Sequence, residues 1–300
     1  MPEPSLFRAA VRGTARLSPH LVRVVLGPAG PAGPADRVLD LTAFTSTGVG
    51  DERLVLVLPV PGRRHTPAPG ADLGWDHLPA DQRPVQRSYT VRSFDAASTT
   101  LVVDVVVHDG GPGSAWALRA EPGDVVLATA PMGWYAPPPA ARWQLLVADL
   151  TALPALARIV EGSPLPSHAL VEVPEPGDRL PLPAAASTRW LCGTGNGVAP
   201  SALLRAVRDV ELPAGPGYVW CAGEAAETRA LRRHLRSERG LTTRDYLVLG
   251  YWRRDQAGWD RRYAELAGGL ENVYAEAVAR GLSSTDALEA YDDALERVGL

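Results

Sequence analysis

The segment "RPVQRSYTVRSFD", residues 83–95, carries the strongest indication of the fold. It places arginines around one tyrosine and one threonine, just before the valine-rich run "TLVVDVVVHD" (residues 100–109). Side chains alternate between the two faces of a β-strand, so an extended segment puts Arg87 and Tyr89 on one face. A guanidinium can clamp a phosphate while the neighbouring ring lies against a flat ligand. A solvated row of arginines on an ordinary exposed strand is the alternative, and the segment alone does not decide between them.

The composition is that of a folded protein with room for two hydrophobic cores. The chain has 300 residues, of which 46% are hydrophobic and 21% are charged, which excludes global disorder. The net charge of −4 argues against a general nucleic-acid binder. Every one of the 30 cationic side chains is an arginine, so anions must be bound by arginine or by backbone N–H groups.

Several further classes are unlikely on sequence grounds. The two cysteines do not make a disulfide framework, and the six histidines show no HExxH or other paired metal-ligand spacing. We therefore expect no metal site. The start "MPEPSLFRAAVRG" lacks the apolar core of a signal peptide, and no run approaches the roughly 20 apolar residues of a spanning helix. We expect a cytoplasmic protein without membrane or nucleic-acid partners.

The first half of the chain has the pattern of an antiparallel β-barrel. Short Val- and Leu-rich runs alternate with Pro/Gly turns, and they lie at residues 21–27, 53–60, 87–95, 100–109 and 124–131. One helix is predicted among them, over residues 113–120. We place this barrel domain at residues 1–138.

After a Pro-rich linker at residues 136–142, strands alternate with helices. This rhythm predicts a parallel sheet covered by helices, at residues 139–256. Apolar residues at spacings of three and four then predict a helical hairpin in an extension at residues 257–300. Packing of this hairpin on the core is the main interpretation and a dimer contact the alternative, so the oligomeric state is open.

A glycine-rich turn follows the valine-rich strand of the barrel. In "VVVHDGGPGSAWA", Gly111 and Gly113 allow a ligand to approach the backbone closely. Ser114 is expected to cap the following helix, whose first N–H groups attract an anion. The turn is a candidate cradle for a pyrophosphate, and a simple Gly-rich hairpin turn is the alternative.

The second domain is expected to bind a nucleotide at the carboxyl ends of its strands. Thr151 lies in the strand-to-helix turn "DLTALPA", and Gly223 and Glu224 end the strand in "WCAGEAAETRALR". Arg229 and Arg232 follow on the next helix. The segment "GTGNGVAP" (residues 193–200) follows the third strand of the domain rather than the first, so it is not the usual dinucleotide fingerprint.

Six segments in this order resemble the siderophore-interacting protein family, which comprises FAD-containing, NAD(P)H-dependent ferric-siderophore reductases with the ferredoxin-reductase-like fold. They are "LSPHLVRVVLG", "WDHLPADQRPVQRSYTVRSFD", "VVVHDGGPGSAWALRAEPGDVV", "DLTALPALARIVE", "VWCAGEAAETRALRRHL" and "GYWRR". The resemblance spans roughly residues 9–254.

The resemblance implies cofactor sites at named positions. The implied FAD site consists of Arg87, Ser88, Tyr89, Thr90, Val106, His108, Gly111, Gly113, Ser114 and Trp116. The implied site for NADPH, or NADH, consists of Thr151, Ala152, Gly223, Glu224, Arg229, Arg232, Trp252 and Arg253. For an anionic ferric siderophore the candidate ligands are Arg63, Arg64 and Arg254. No side chain is expected to act as a proton-transferring catalyst.

Two positions depart from the family pattern. Leu150 stands where the family usually has a glutamate, and Val55 stands where relatives often carry a lysine that helps to hold the siderophore. These departures keep two alternatives open. One is a flavoprotein of the same fold that acts on an organic substrate in natural-product biosynthesis. The other is a non-redox binding protein that retains only the fold.

Overall fold

The computed structural model describes residues 6–30, 38–184, 186–266, 270 and 272–300. The first five residues, on which part of the signal-peptide prediction rests, lie outside this set, as do residues 267–269 and 271 of the predicted C-terminal hairpin. The chain forms two compact units. One comprises Met1–Gly133, Leu150–Pro164 and Val173–Ala184, and the other comprises Trp134–Asp149, Leu165–Glu172 and Ala185–Leu300. The domain boundaries drawn from the sequence stay a prediction.

The first unit is built on an eight-stranded sheet. Its strands are β1 (Leu6–Ser18), β2 (Leu21–Pro28), β3 (Val38–Asp40), β4 (Arg53–Leu58), β5 (Val85–Thr90), β6 (Ser93–Asp95), β7 (Thr100–Val106) and β8 (Val125–Thr129). The order is β5-β4-β8-β1-β2-β7-β6, with β3 beside β1. The pairs along this order are antiparallel, and β3 runs parallel to β1.

One hydrophobic core holds this sheet in a barrel-like form. It draws buried side chains from strands across the whole order, including Leu56 of β4, Val24 of β2 and Val103 of β7, each 0% exposed. Helix α1 (Pro112–Arg119) adds Trp116 to the same core. The predicted antiparallel β-barrel class is therefore confirmed for the N-terminal part.

Helix α2 (Leu153–Gly162) is fastened to the barrel by ion pairs. Arg158 lies 2.6 Å from the carboxylate of Glu52, which is 0% exposed. Glu161 at the end of the helix pairs with Arg92. Buried ion pairs of this kind fix one geometry, because a charge left alone in the interior is costly.

The second unit contains a five-stranded sheet. Its strands are β9 (Gln144–Ala148), β10 (Ser167–Val173), β11 (Ala186–Cys192), β12 (Tyr218–Glu224) and β13 (Tyr246–Trp252), in the order β11-β10-β9-β12-β13. The β10/β9, β9/β12 and β12/β13 pairs are parallel. This sheet and its helices confirm the predicted α/β class.

The remaining helices lie in the second unit. They are α3 (Leu203–Arg208), α4 (Ala225–Arg233), α5 (Gln256–Leu266), α6 (Val273–Ala279) and α7 (Ser284–Arg297), and a π-helical turn, His234–Glu238, extends α4. The C-terminal extension is helical as predicted, although it has three helices where a hairpin was expected. Among the helices described, none has both the length and the apolar character needed to cross a membrane.

Candidate functional site

Strand β5 brings the predicted ring and guanidinium to the end of the barrel sheet. Arg87 and Tyr89 are alternate residues of this strand, and both are paired with β4. The Tyr89 ring packs against the barrel core, and burial raises the pKa of its phenol to about 12. The Arg87 guanidinium is exposed, and among the described residues its one acceptor is the neighbouring Gln86 carbonyl, at 2.8 Å. The strand thus offers a neutral aromatic ring and an accessible cation on the same face.

Thr90 ends this strand with an unsatisfied polar atom. The residue is 5% exposed, and its hydroxyl has no hydrogen-bond partner among the described residues. A buried hydroxyl without a partner costs free energy unless a ligand supplies the missing bond. Ser88, two residues earlier, is exposed.

Tyr89 also meets the glycine-rich turn between β7 and α1. A Cβ atom at Gly113 would overlap the Tyr89 hydroxyl, so only glycine fits there without displacing the ring. At Gly111 a Cβ would come 2.7 Å from the His108 imidazole. The structure thereby brings together two segments that lie about twenty residues apart in the sequence. We call Arg87–Thr90 together with Gly111–Ser114 the cradle.

Ser114 does not cap helix α1, so that expectation was wrong. Pro112 already occupies the first helical position, with Gly111 as the N-cap, and this places Ser114 inside the first turn. Its hydroxyl accepts from the backbone N–H of His108 at 3.0 Å and donates to the Val106 carbonyl at 3.4 Å. Ser114 therefore closes the turn between strand and helix.

The N-terminus of α1 keeps free donors. Ala115 N bonds back to Gly111 O, while the N–H groups of Gly113 and Ser114 have no partner among the described residues. Such a helix start attracts anions through its N–H groups and its dipole. His108 is exposed beside it, whereas Trp116 is 1% exposed within the barrel core and its indole N–H is unpaired there.

The cradle fits a flavin dinucleotide by its chemistry. It combines two free N–H donors and an exposed guanidinium, both suited to phosphate, with an aromatic ring and an unsatisfied buried hydroxyl. Binding of FAD does not require a pair of side chains that transfer a proton. The residues present are therefore compatible with FAD.

A second cluster lies in the other unit, at the carboxyl ends of its parallel strands. Asp149 follows β9, Glu172 lies near the end of β10, and Glu224 and Trp252 end β12 and β13. We call the depression that they line the sheet-end recess; its walls are Asp149, Glu172, Gly195, Asn196, Ser201, Leu203, Glu224, Glu227, Trp252 and Arg254. Open α/β sheets bind ligands at this edge.

The walls of the recess are bonded to one another. Asp149 accepts the indole N–H of Trp252 at 2.6 Å, and Glu172 accepts the N–H of Ala202 at 2.6 Å. Glu224 caps helix α4 by accepting from Ala226 N and Glu227 N. Burial raises the pKa of Glu172, against the lowering effect of its hydrogen bond from Ala202.

Sequence reasoning missed Asp149 and Glu172 as site residues. Asp149 begins the turn "DLTALPA", in which Thr151 and not Asp149 was predicted to bind the nucleotide. A carboxylate directly after a buried strand is the signal that could have found it. The loop "GTGNGVAP" is held by Glu172, because Asn196 donates to the Glu172 carbonyl and Gly195 packs against its carboxylate.

The arginines predicted for a nucleotide phosphate are engaged by the C-terminal helix α7 and the residue that ends the sequence. Arg229 donates to the Leu300 backbone oxygen, and Arg232 is bonded to Asp292 and to the Val248 carbonyl. Arg232 is 5% exposed, so its guanidinium lies inside the unit. Arg253 stacks over the Trp259 ring at 4.2 Å, and burial lowers its pKa.

Thr151 and Ala152 precede α2, in the unit that contains the barrel. Ala152 is 0% exposed and serves as the N-cap of that helix, and Thr151 is half-buried. Leu150, the departure from the family pattern, is also fully buried.

The three arginines predicted to bind the substrate differ in whether their guanidinium groups already have a partner. Arg63 is exposed and has no side-chain partner among the described residues. Arg64 is held by Asp124, with its Nε 2.6 Å from the carboxylate. Arg254 is exposed at the sheet-end recess. Val55 is half-buried in β4, opposite Ser88.

One group of possible metal ligands exists among the described residues, namely His20, Glu175 and Asp178. Asp178 is 0% exposed and already accepts from the Ser18 hydroxyl, the His20 backbone N–H and the His20 ring. These bonds tie the 176–178 turn to the β1–β2 hairpin.

Comparison with known families covers nearly the whole chain. Residues 10–135 match the model described as the siderophore-interacting FAD-binding domain, and residues 141–255 match the model described as siderophore-interacting protein.

Individual relatives agree with the family models. An uncharacterised protein of Mycobacterium tuberculosis is 33% identical over 279 residues, which are 86% of this chain and 96% of the relative. The NADPH-dependent ferric-chelate reductase of Escherichia coli is 30% identical over 233 residues, which are 74% of this chain and 84% of that protein. A crystal structure of a siderophore utilization protein from T. fusca superposes with a TM-score of 0.70 at 35% identity, covering 85% of this chain and 95% of its own.

Proposed function

The chain belongs to the siderophore-interacting protein family, and on that premise we propose that it is a flavin-dependent oxidoreductase that passes electrons from NAD(P)H to a ferric siderophore and releases Fe(II). The observation that carries this proposal is the cradle. Tyr89 meets Gly113 there at the free start of α1, and the next residue, Thr90, has a buried hydroxyl without a partner among the described residues.

Each part of the cradle has a task in binding FAD. The Arg87 guanidinium and the N–H groups of Gly113 and Ser114 would hold the phosphates. The Tyr89 ring would lie against the flavin, and its raised pKa keeps the phenol neutral and able to donate a hydrogen bond. The Thr90 hydroxyl would gain the partner that it lacks. When bound, FAD supplies the redox chemistry, because a flavin accepts a two-electron hydride and returns single electrons.

NADPH is the electron donor that we favour, with NADH as the alternative. Arg229 and the exposed Arg233 lie on α4, which follows the Gly223–Glu224 strand end, and arginine suits an extra phosphate. The phosphate would replace the Leu300 oxygen and the Glu296 carboxylate as their partners. A similar protein of Escherichia coli is named an NADPH-dependent ferric-chelate reductase, which supports the same choice. Arg232 would contribute by holding the helix in place rather than by touching the donor.

The substrate that we propose is a ferric siderophore with net negative charge. Arg63 and Arg254 are the exposed cations that would attract it. The guanidinium of Arg64 is already paired with the carboxylate of Asp124. Reduction to Fe(II) weakens the hold of hard oxygen ligands on the iron, so no protein metal site is required. Since NAD(P)H is a cytosolic reductant, we place the protein in the cytoplasm.

One observation supports an organic substrate instead. Val55 leaves a neutral, half-buried side chain where relatives often carry a cation. A flavoprotein of this fold in a biosynthetic pathway would not need that charge.

The test begins with the purified protein, which should be yellow and release FAD, not FMN, on denaturation. Arg87→Ala should weaken FAD binding by about 10- to 150-fold, which corresponds to the ~1.5–3 kcal/mol of a charge-assisted bond. Arg16→Ala, an exposed arginine of β1, is the matched control. A colourless wild type that cannot be reconstituted with FAD would leave the non-redox binding protein as the better interpretation.

Turnover separates the two redox alternatives. Under anaerobic conditions the reduced protein should be reoxidised by ferric chelates, and a ferrous trap should report the Fe(II). If it ignores every ferric chelate but is reoxidised by an organic intermediate, the biosynthetic function is correct.

A further inference from the structure

The indole of Trp252 is anchored from two strands away. In the spatial order β9-β12-β13, Asp149 follows β9 and Trp252 ends β13, so their hydrogen bond of 2.6 Å passes over the end of β12. The residue at that point of β12 is Gly223, where a Cβ would come 2.9 Å from the Asp149 carboxylate. Glycine at this position leaves the carboxylate room to reach the indole.

The far edge of the same indole faces the glycine-rich loop. A Cβ at Gly197 would lie 3.8 Å from Cη2 of Trp252, so glycine leaves this space open. The indole lines the sheet-end recess together with Gly195 and Asn196 of the loop.

This bond matters because its acceptor is buried. Asp149 is 2% exposed, so the bond is made away from bulk water, where an indole N–H without a partner would cost free energy. A side chain whose rotamer is fixed before a ligand arrives loses less entropy on binding. An anchored wall thus strengthens binding without altering the chemical step.

We propose that Asp149 is a positioning residue: it fixes the Trp252 indole as the wall of the sheet-end recess against which the electron donor packs. The inference rests on the proposed function for the identity of the donor. It goes beyond it by assigning donor affinity to a carboxylate two strands away from the aromatic ring.

The first arm of the test does not depend on activity. The flavin-loaded protein is labelled with 5-fluorotryptophan, and the Trp252 signal is assigned from Trp252→Phe by ¹⁹F NMR. Asp149→Leu should shift or broaden that signal, while Asp149→Asn, whose amide oxygen still accepts from the indole, should leave it near the wild-type position. An unchanged signal in Asp149→Leu would overturn the anchoring.

The second arm measures flavin reduction by stopped flow at increasing donor concentration. Asp149→Leu should raise the apparent donor Kd about tenfold and change the limiting rate less than about threefold, whereas Asp149→Asn should stay close to wild type. Trp252→Phe should raise the Kd similarly, and the double variant should not add the two effects. Trp190→Phe, on β11 of the same sheet, is the matched control. An unchanged Kd in Asp149→Leu would overturn the donor assignment.

The two arms keep this inference apart from the proposed function. If neither NADH nor NADPH reduces the wild-type flavin, the proposed function fails and the donor assignment fails with it, while the NMR arm still decides the anchoring. If Asp149→Leu does not fold, Trp252→Phe and Asp149→Ala test the same bond from its two ends.

Discussion

The cradle on the barrel and the recess on the parallel sheet are built in opposite ways. The cradle has an exposed guanidinium, and it has two N–H groups and a buried hydroxyl that find no partner in the part of the chain that the structure describes. In the recess, Asp149 holds Trp252, Glu172 holds Ala202, and Glu224 caps α4. Polar groups without a protein partner can bond to a ligand, whereas polar groups that bond each other hold a binding surface in place before the ligand arrives.

The same contrast separates two kinds of arginine. Within the described part of the chain the Arg87 side chain makes a single bond, to its neighbour's carbonyl, while Arg232 is buried and bonded to Asp292 and Val248. An arginine of the first kind is available for an anion, and one of the second kind serves stability. Substitutions in each region therefore test whether this difference between the two sites holds.

The largest effect is expected where the cradle has no spare room. In Gly113→Leu the new side chain would occupy the place of the Tyr89 hydroxyl, so the ring must leave its position. Overpacking of this size costs about 1–3 kcal/mol, and we expect flavin content, from absorbance near 450 nm, to fall about tenfold or more. Gly13→Ala, in β1 with nothing near its Cβ position, is the control. Normal flavin content in Gly113→Leu would show that the Tyr89–Gly113 contact is dispensable.

A second large effect should appear in stability rather than in binding. Arg232→Met leaves the carboxylate of Asp292, whose pKa is already raised by burial, without its cation. We expect a loss of about 2–3 kcal/mol in the free energy of unfolding, measured with urea. Arg233→Met, on the exposed side of the same helix and paired with Glu296 at 3.4 Å, should lose less than about 1 kcal/mol.

The preference of Arg232→Met for NADPH over NADH also tests whether Arg232 has a structural role. An unchanged preference in Arg232→Met is expected if the guanidinium is structural. A switch toward NADH without loss of stability would make Arg232 a donor ligand after all.

Much of the fold could be predicted because its signals are local. The valine-rich runs at 53–60 and 100–109 became β4 and β7, and the alternation after residue 142 became the parallel sheet. Strand β1 was missed, because "LFRAAVRGTARLS" has few β-branched residues and owes its strand to pairing with β2, β3 and β8. Such pairing is a property of the whole sheet and leaves little trace in the segment itself.

The candidate sites divide in the same way. The cradle could be predicted because Arg87, Tyr89 and Gly113 lie in two short segments with a recognisable pattern. The partners of the α4 arginines could not, because Asp292 lies 60 residues from Arg232. The bond between Asp149 and Trp252 joins residues 103 positions apart, and only the strand order brings them together.

A smaller effect tests whether the recess is shaped in advance by charge. Burial raises the pKa of Glu172, so its contribution to stability is fully present at low pH, below its unfolded pKa, and is lost as the pH rises through the folded pKa. Glu172→Gln keeps an acceptor for Ala202 N without the buried charge. Its stability relative to wild type should therefore be higher at pH 8, by more than the roughly 0.5 kcal/mol of a surface change, and equal near pH 4.

Urea unfolding of both proteins at the two pH values measures this difference. The exposed Glu175→Gln is the control, and it should show no such pH dependence. If Glu172→Gln is less stable than wild type at pH 8, the charge itself holds the 193–200 loop.

The smallest expected effect concerns substrate binding, and it compares an arginine that has no ion-pair partner among the described residues with one that is paired. Arg63 and Arg64 are neighbours and both are exposed, but Arg64 is paired with Asp124 while Arg63 has no side-chain partner among the described residues. Exposed charges attract an anionic chelate only weakly, with a screening length of about 8 Å at physiological ionic strength.

Arg63→Ala should raise KM for the chelate about threefold at low salt, and Arg64→Ala should raise it less. Both effects should fade as salt is added, and the rate of flavin reduction by NAD(P)H should stay unchanged, because binding of the chelate and not hydride transfer is affected. Steady-state turnover with a ferrous trap at two salt concentrations measures this. A larger effect of Arg64→Ala than of Arg63→Ala would show that pairing with Asp124 does not decide which arginine meets the substrate.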